Sequence, residues 1–261
     1  MALTAASFRV EQDLATRVVR VTLAAPPLNV LTTQLARDLA VAIERLGARP
    51  DHRVLVIAAE GKAFSAGASI EEHVLPTDCE AMLEAMAGLV RALERHPRPT
   101  VALLRGACLG GGLEVALACD LIWASDRAAL GSPEIKLGVL APFAAALLPR
   151  RVGLGRALEL LLTGEAIPAE RALALGLLER VYPDATFEAD AGAALARLAS
   201  RSGPALGTAR RAVREALAAP SLDAALDLVL SRYRAEVLPL ADASEGLRAF
   251  LEKRPPAWRD R

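Results

Sequence analysis

Two glutamates that each follow a stretch of small residues could share one chemical task. Glu114 comes directly behind three glycines in the segment CLGGGLEVALACD, and Glu134 stands in GSPEIKLGV. A pair of carboxyl groups on separate elements can orient a water molecule, one group accepting its proton while the other donates a proton to the substrate. Taken singly, Glu114 also fits an anion stabilised at a helix N-terminus, and Glu134 fits a solvated turn residue. For each glutamate alone, both interpretations stay open.

The segments FSAGAS and CLGGGLE each follow an expected buried strand, and both are rich in small residues. Small side chains allow a ligand to approach the backbone closely. The second segment also opens a helix, whose first N–H groups have no partner within the helix. Two backbone N–H groups converging from separate strand ends would form an oxyanion hole for a carbonyl such as that of a thioester. Tight packing of a strand against a helix would require the same small residues. Neither segment alone therefore distinguishes an oxyanion hole from simple packing.

Hydrophobic periodicity predicts the elements that must position these segments. Helical spacing predicts amphipathic helices from Thr32 or Thr33 to Gly47 and over residues 78–95, and a further helix opens at the three glycines. Strand and helix alternate in this part of the chain, which implies right-handed βαβ crossovers, a mostly parallel sheet and an α/β fold. Alternating or continuous apolar runs predict five strands, over residues 8–13, 17–23, 53–59, 100–106 and 120–125.

The pattern changes in the second half of the chain. From about residue 143 onward it is nearly all helical, with helices ending at Gly164 and Gly176 and long Ala/Leu-rich segments from 187 onward. We therefore expect an α/β core over residues 1–186 and a helical C-terminal region over 187–261. That region has more apolar positions than its helices need for their own packing, which favours an oligomer.

Composition excludes several classes of function. The chain of 261 residues has 31 basic and 31 acidic residues, so its net charge is zero, which argues against nucleic-acid and anionic-membrane binding. Three scattered cysteines without a CxxC pair predict neither a disulfide framework nor a metal site. No signal-peptide pattern and no apolar stretch of about 18 residues is present, so we expect a cytoplasmic protein.

Three segments together resemble the crotonase (enoyl-CoA hydratase/isomerase) superfamily: FSAGASI, CLGGGLEVALACDLIWAS and LGSPEIKLG, in this order and spacing. The resemblance extends to PPLNVLT, LLLTGEAIPAERALALGLLERVY and EGLRAFLEKR, and so covers nearly the whole chain. It implies the crotonase-like fold, a ββα-type superhelix with a helical C-terminal part. It also implies an acyl-CoA thioester substrate, no cofactor besides the coenzyme A of that substrate, and a homotrimer or dimer of trimers built through residues 187–261.

The resemblance also implies roles for individual residues. The oxyanion hole would be formed by the backbone N–H groups of Ala68 and Gly111, and the hydratase branch holds its water between two glutamates that match Glu114 and Glu134. Two C-terminal residues match positions that approach coenzyme A, often from a neighbouring subunit; these are Phe250 and Lys253. The other positions that contact substrate match Leu28, Ala66, Ser69, Ile70, Gly110, Pro133, Leu140 and Phe143.

Two departures from the ordinary hydratase pattern suggest the substrate. Ser69 stands where aspartate is usual, and APFAAALLPRR replaces a glycine-rich loop behind the Pro-Glu pair. With these features the chain is most similar to the cyclohexa-1,5-diene-1-carbonyl-CoA hydratases of anaerobic benzoyl-CoA breakdown. A flat ring needs a wide, apolar slot, with Leu140 or Phe143 touching it. The alternatives are a hydratase or isomerase of linear enoyl-CoA and, in a different class, a non-catalytic acyl-CoA-binding protein.

Overall fold

The computed structural model describes residues 4–5, 7–49 and 51–261. The strands of its main sheet are β1 Thr4–Ala5, β2 Phe8–Asp13, β3 Val18–Leu23, β4 Val54–Ala59, β6 Thr100–Leu104, β8 Leu121–Ser125 and β11 Arg180–Tyr182. They lie in the order β1-β2-β3-β4-β6-β8-β11. Strands β1 to β3 pair antiparallel, and all pairs from β3 to β11 are parallel. The mostly parallel sheet and its five predicted strands are confirmed, with β6 ending at Leu104 rather than at residue 106.

A second sheet is the part of the fold that the sequence pattern does not predict. Its strands are β5 Ala63–Ser65, β7 Ala107–Leu109, β9 Ala129–Gly131 and β10 Ile167–Pro168. They lie in the order β10-β9-β7-β5, and β5, β7 and β9 are parallel to one another. Strands this short carry too few side chains for a periodic signal. The expectation of a nearly all-helical second half is wrong at β10 and β11 for the same reason.

Ten α-helices in the described residues surround these sheets. The helix α1 begins behind Thr32, whose side chain accepts a hydrogen bond from the Leu35 N–H, so the predicted cap is confirmed. Single turns of 3₁₀-helix lie over Glu71–His73 and Pro133–Leu137, and a π-helical turn over Tyr233–Val237 extends α9. The helices are α1 Thr33–Gly47, α2 Pro76–Arg95, α3 Gly111–Ala118, α4 Pro142–Val152, α5 Leu154–Thr163, α6 Ala169–Leu175, α7 Phe187–Ala199, α8 Gly203–Ala218, α9 Leu222–Arg232 and α10 Ala241–Leu251.

Each face of the main sheet has its own hydrophobic core. On β4, Leu55 and Ile57 face the larger core, which also contains the apolar faces of α1, α2 and α3. Val54 and Val56 face the smaller core, which α7 covers with Phe187 and its neighbours. A strand buried on both faces is apolar at every position, which explains the unbroken run VLVIAA.

The C-terminal helices divide between two locations. The helix α7 completes the smaller core, whereas α8 and α10 are tied to the amino ends of the parallel strands. Arg210 of α8 binds Asp120 just ahead of β8, and Asp260, behind α10, accepts hydrogen bonds from Arg53 just ahead of β4. The domain boundary between residues 186 and 187 stays a prediction. Among the described helices, none is long and apolar enough to cross a membrane.

Candidate active site

The small sheet brings the three segments of interest to one edge of the molecule. Strand β5 leads into Ala68, β7 leads into Gly111 and Glu114, and β9 leads into Glu134. Because β5, β7 and β9 are parallel neighbours, their carboxyl ends lie side by side. Ligands of α/β proteins bind at such carboxyl ends. The expected site is therefore assembled by the sheet that the sequence pattern does not predict.

The backbone N–H groups of Ala68 and Gly111 lie on adjoining segments. Gly67 O accepts from Leu31 N–H at 2.9 Å and Ser69 N–H donates to Leu31 O at 2.8 Å, so the intervening Ala68 N–H points away from Leu31. Gly111 is the first residue of α3, where an N–H has no partner within the helix. A Cβ atom on Gly111 would lie 3.2 Å from Ala68 N. The two segments are therefore in contact, and donors on adjoining segments can bind one oxygen atom.

The glycines on either side of Gly111 have separate structural reasons. Gly110 has φ +51°, and a Cβ atom there would lie 2.5 Å from Glu134 Oε1. A Cβ atom on Gly112 would lie 2.6 Å from the Ser65 Cβ of strand β5. The first glycine thus makes room for a carboxylate, and the last one allows α3 to pack against the small sheet. Tight packing therefore applies to this segment, and close approach of a ligand to its backbone stays a prediction.

The Glu114 carboxyl is buried, and none of the described residues places a cation beside it. It lies in the first turn of α3 and is 4% exposed. Its Oε1 accepts hydrogen bonds from the backbone N–H groups of Phe143 at 2.9 Å and Ala144 at 3.0 Å, which open helix α4. Burial raises its pKa to about 7; the N–H of Ala144 offsets part of that rise, the Glu134 carboxylate adds to it, and the N–H of Phe143 offsets a little more.

The Glu134 carboxyl is held from the other side. It lies partly exposed in the 3₁₀ turn behind β9. Its Oε2 accepts a hydrogen bond from the Ser132 hydroxyl at 2.8 Å, and its Oε1 lies against the Gly110 Cα. Gly110 also accepts the Glu114 N–H at 3.0 Å through its carbonyl oxygen. The Glu134 carboxylate is also close enough to contribute to the raised pKa of Glu114, so the structure brings the two glutamates into one region; their joint action on a water molecule stays a prediction.

An apolar cavity of about 200 Å³ adjoins Glu134. It lies between the 3₁₀ turn, the start of α4 and one face of α5, and we call it the acyl cavity. Leu140 lines it, whereas the Phe143 side chain packs against the larger core. The residues around the acyl cavity are Ser132, Glu134, Ile135, Leu140, Ala141, Ala145, Leu158, Leu161 and Leu162.

Most of the other expected substrate contacts surround the same edge. Ala66 N–H donates to Leu28 O at 2.9 Å, which joins the loop behind β5 to the segment ahead of α1. Ser69 is nearly buried beside it, and Ile70 follows with its side chain exposed. Pro133 opens the 3₁₀ turn that carries Glu134. The structure thus collects these residues around one rim, and their contacts with substrate stay predictions.

Phe250 and Lys253 lie apart from this rim within one chain. Both are exposed at the end of α10. Two Asp242 oxygens in the first turn of that helix accept the N–H groups of Arg259 and Asp260, and Asp260 binds Arg53 ahead of β4. This anchor lies at the amino end of β4, whereas Ala68, Gly111 and Glu134 follow the carboxyl ends of strands in the small sheet. A role for these two residues in coenzyme A binding requires a neighbouring subunit and stays a prediction.

Sequence reasoning misses three groups at the site. The first is Ser132, whose place ahead of a Pro-Glu pair is a helix-start signal that could have directed attention to it. The second is the pair of backbone N–H groups at the start of α4, which no side-chain pattern reveals. The third is the leucine face of α5, which lies more than twenty residues after Glu134 in the sequence. Its helical spacing is the one that ordinary core packing also produces.

Comparison with known proteins shows the family of this chain. A family model described as enoyl-CoA hydratase/isomerase matches residues 13–261. The cyclohexa-1,5-dienecarbonyl-CoA hydratase of Thauera aromatica is 40% identical over 94% of this chain and 93% of its own length, and a probable enoyl-CoA hydratase of Bacillus subtilis is 34% identical over 90% and 92%. A crystal structure of an enoyl-CoA hydratase from Geobacillus kaustophilus superposes with a TM-score of 0.94 at 29% identity, covering 100% of this chain and 99% of that one. The chain therefore belongs to the enoyl-CoA hydratase/isomerase family and is a hydro-lyase of that family, with an acyl-CoA thioester as its substrate.

Proposed function

We propose that the protein adds water to cyclohexa-1,5-diene-1-carbonyl-CoA. The observation that carries this proposal is the acyl cavity, an apolar space of about 200 Å³ directly beside Glu134. Pockets that hold whole drug-sized ligands measure roughly 300–1,000 Å³, so this cavity suits only the acyl end of the thioester. The name of the Thauera aromatica relative supports the same substrate.

In the proposed reaction, the thioester oxygen accepts hydrogen bonds from the N–H groups of Ala68 and Gly111. Glu114 and Glu134 hold a water molecule, one carboxylate accepting its proton as the oxygen bonds to the β-carbon. The electron pair of the ring double bond moves into a dienolate, whose charge the two N–H groups stabilise. A carboxyl group then returns a proton to the far end of the conjugated system, which completes a 1,4-addition of water. A pKa of Glu114 of about 7 suits proton exchange near neutral pH.

The shape of the acyl cavity favours a ring over a linear chain. Its lining includes Ala141, just ahead of α4, and Ala145 on α4, together with Leu158 and Leu162 on α5. A space between two helix faces, walled by small residues on one side and aliphatic ones on the other, accepts a flat apolar group. Leu140 and Glu134 both line it. Leu140 rather than Phe143 is therefore the residue that we propose touches the ring.

A substrate panel tests this proposal. Purified enzyme is given crotonyl-CoA, a linear 3-enoyl-CoA and cyclohexa-1,5-diene-1-carbonyl-CoA, and kcat/KM is measured for each. We expect the cyclic thioester to have the highest value. Preference for crotonyl-CoA would make the protein a hydratase of linear substrates, and turnover of the 3-enoyl thioester alone would make it an isomerase. Binding of all three without turnover would make it an acyl-CoA-binding protein.

A cavity-filling variant sharpens the test. Ala145→Leu should obstruct the acyl cavity and lower kcat/KM for the cyclic thioester by roughly 10- to 100-fold, since methylene-sized changes in an apolar pocket are worth about 1–3 kcal/mol each. The value for crotonyl-CoA should change several-fold less, because a short chain needs less of the space. Leu154→Ala is the matched control, since Leu154 lies exposed on α5 outside the cavity. Equal losses for both substrates would contradict a ring slot.

A further inference from the structure

We propose that Ser132 is a positioning residue that sets the orientation of the Glu134 carboxyl group. The inference rests on the proposed catalytic role of Glu134 and adds to it a residue that the sequence does not single out. Ser132 follows β9 directly and is 2% exposed. Its hydroxyl donates to Glu134 Oε2 at 2.8 Å.

The two glutamates are held in different ways, and this difference gives Ser132 its importance. Glu114 is fixed by two backbone N–H groups, those of Phe143 and Ala144, which no side-chain substitution removes. Among the described residues, no backbone N–H donates to the carboxylate of Glu134, and the Ser132 hydroxyl is its one hydrogen-bond donor. A partly exposed glutamate with a single anchor owes its rotamer to that anchor.

The anchor also determines which oxygen faces the reaction. While Ser132 holds Oε2, the other oxygen, Oε1, lies against the Cα of Gly110. The carbonyl of Gly110 in turn accepts the N–H of Glu114. Ser132 therefore fixes the position of Oε1 beside Gly110, the residue just ahead of helix α3, which carries Glu114 in its first turn. Loss of the hydroxyl would free the Glu134 side chain to rotate, so that fewer molecules hold a water between the two carboxyl groups at any moment.

Removal of the hydroxyl gives the first test. Ser132→Ala should lower kcat by roughly 10- to 100-fold, because a displacement of about 1 Å at a reacting group costs about that much. KM and the affinity for a saturated, unreactive acyl-CoA should stay within about twofold, since Ser132 is not proposed to bind the thioester. Ser132→Cys, which keeps the size and a weak donor, should fall between wild type and Ser132→Ala.

A double-mutant cycle separates this inference from the proposed function. In Glu134→Gln the side chain has lost its proton chemistry, so adding Ser132→Ala should lower kcat by less than about twofold more. A full additional loss in the double variant would show that Ser132 acts on something other than Glu134 and would overturn the inference. Wild-type turnover in Glu134→Gln alone would instead remove Glu134 from the mechanism. The cycle is run with whichever enoyl thioester the wild type hydrates fastest, so it does not depend on the cyclic substrate.

A second buried serine serves as the structural control. Ser202 is 4% exposed and caps α8 by accepting the Ala205 N–H, away from the glutamates. Ser202→Ala should lower the melting temperature and leave kcat unchanged, because loss of a cap costs roughly 0.5–2 kcal/mol of stability. Ser132→Ala should instead lower kcat and leave the melting temperature unchanged. If Ser132→Ala lowers stability and leaves kcat within twofold of wild type, Ser132 is only a structural residue.

Discussion

Helix α3 has a buried carboxyl group in its first turn and a largely buried one just beyond its last turn, and the two are stabilised in opposite ways. Glu114 in its first turn receives two backbone N–H groups and no cation among the described residues, and burial raises its pKa to about 7. Asp120, just beyond the last turn, is bound by Arg210 and Arg214. Burial would also raise the pKa of Asp120, but the two guanidinium groups outweigh it and hold that pKa below its usual value.

The difference separates a carboxylate that holds the fold together from one that can do chemistry. Asp120 stays ionised throughout the neutral range. Its charge is paired with Arg210 and Arg214, which join helix α8 to the segment ahead of β8. Glu114 lies close to a protonation equilibrium at neutral pH, which is what a group that transfers protons requires. Helix α3 thus has a permanently ionised carboxylate, Asp120, behind its carboxyl end and a carboxyl group that can change its protonation state, Glu114, at its amino end.

The largest effect is expected at the structural end. Asp120→Asn removes the charge that compensates Arg210, whose side chain is 6% exposed, and breaking a buried pair in this way costs about 3–5 kcal/mol of folding free energy. Urea denaturation measures the loss. The variant that stays folded should hydrate its thioester substrate at nearly the wild-type kcat, because Asp120 lies at the opposite end of α3 from the glutamates.

Two outcomes would contradict a structural role for Asp120. A stability within about 1 kcal/mol of wild type would mean that Asp120 contributes no more than an exposed ion pair. A strong loss of kcat in an otherwise stable variant would mean that a change at Asp120 alters the site at the other end of α3. Arg91→Ala, at an exposed arginine outside these ion pairs, is the control for removing a charge as such.

The next effect is expected at the other end of the helix. Glu114→Gln keeps an oxygen that accepts the N–H groups of Phe143 and Ala144 but cannot take up a proton. We expect kcat to fall by about 100-fold or more, the contribution typical of a positioned acid or base. Stopped-flow or steady-state hydration assays measure it, and titration with a saturated acyl-CoA confirms that the thioester still binds. Turnover near that of wild type would exclude Glu114 from the proton transfer.

Much of the site could be predicted from sequence because its parts are local. The glycines, Glu114 and Glu134 occur in short segments whose residue types already suggest an oxyanion hole and a carboxyl pair. Helix α1 and its Thr32 cap follow from local rules for the same reason. Five strands of the main sheet, β2, β3, β4, β6 and β8, have five or six residues each, which is long enough to give a periodic signal and made the α/β fold predictable.

The parts that escaped prediction depend on contacts between residues far apart in sequence. Asp120 is followed only some ninety residues later by Arg210 and Arg214, so nothing near it marks it as an ion-paired residue. The N–H groups that hold Glu114 belong to the start of α4, a feature without a side-chain signature. The small sheet, whose strands have two or three residues, gives no periodic pattern at all.

The smallest expected effect concerns how stability changes with pH. The pKa of Glu114 rises from 4.5 to about 7 on folding, so the folded state binds this proton more tightly than the unfolded chain. The resulting stabilisation is fully present below about pH 4.5 and is lost as the pH rises through about 7. Glu114→Gln has no such loss. As the pH rises from 5 to 8, the free energy of unfolding of Glu114→Gln should therefore increase by roughly 1–3 kcal/mol relative to that of the wild type.

The pKa of Asp120 is shifted in the opposite direction, so its contribution to stability depends on pH in the opposite way. Because its folded-state pKa is lowered, its contribution is present above its usual value of 3.8 and is lost only as the pH falls through the lowered one. Asp120→Asn should therefore run parallel to the wild type between pH 5 and pH 8, although it is less stable at every pH. Urea denaturation of the three proteins at pH 5, 6, 7 and 8 distinguishes them. If Glu114→Gln also runs parallel to the wild type, Glu114 is not held near its protonation equilibrium, and the two ends of α3 do not differ as the comparison requires.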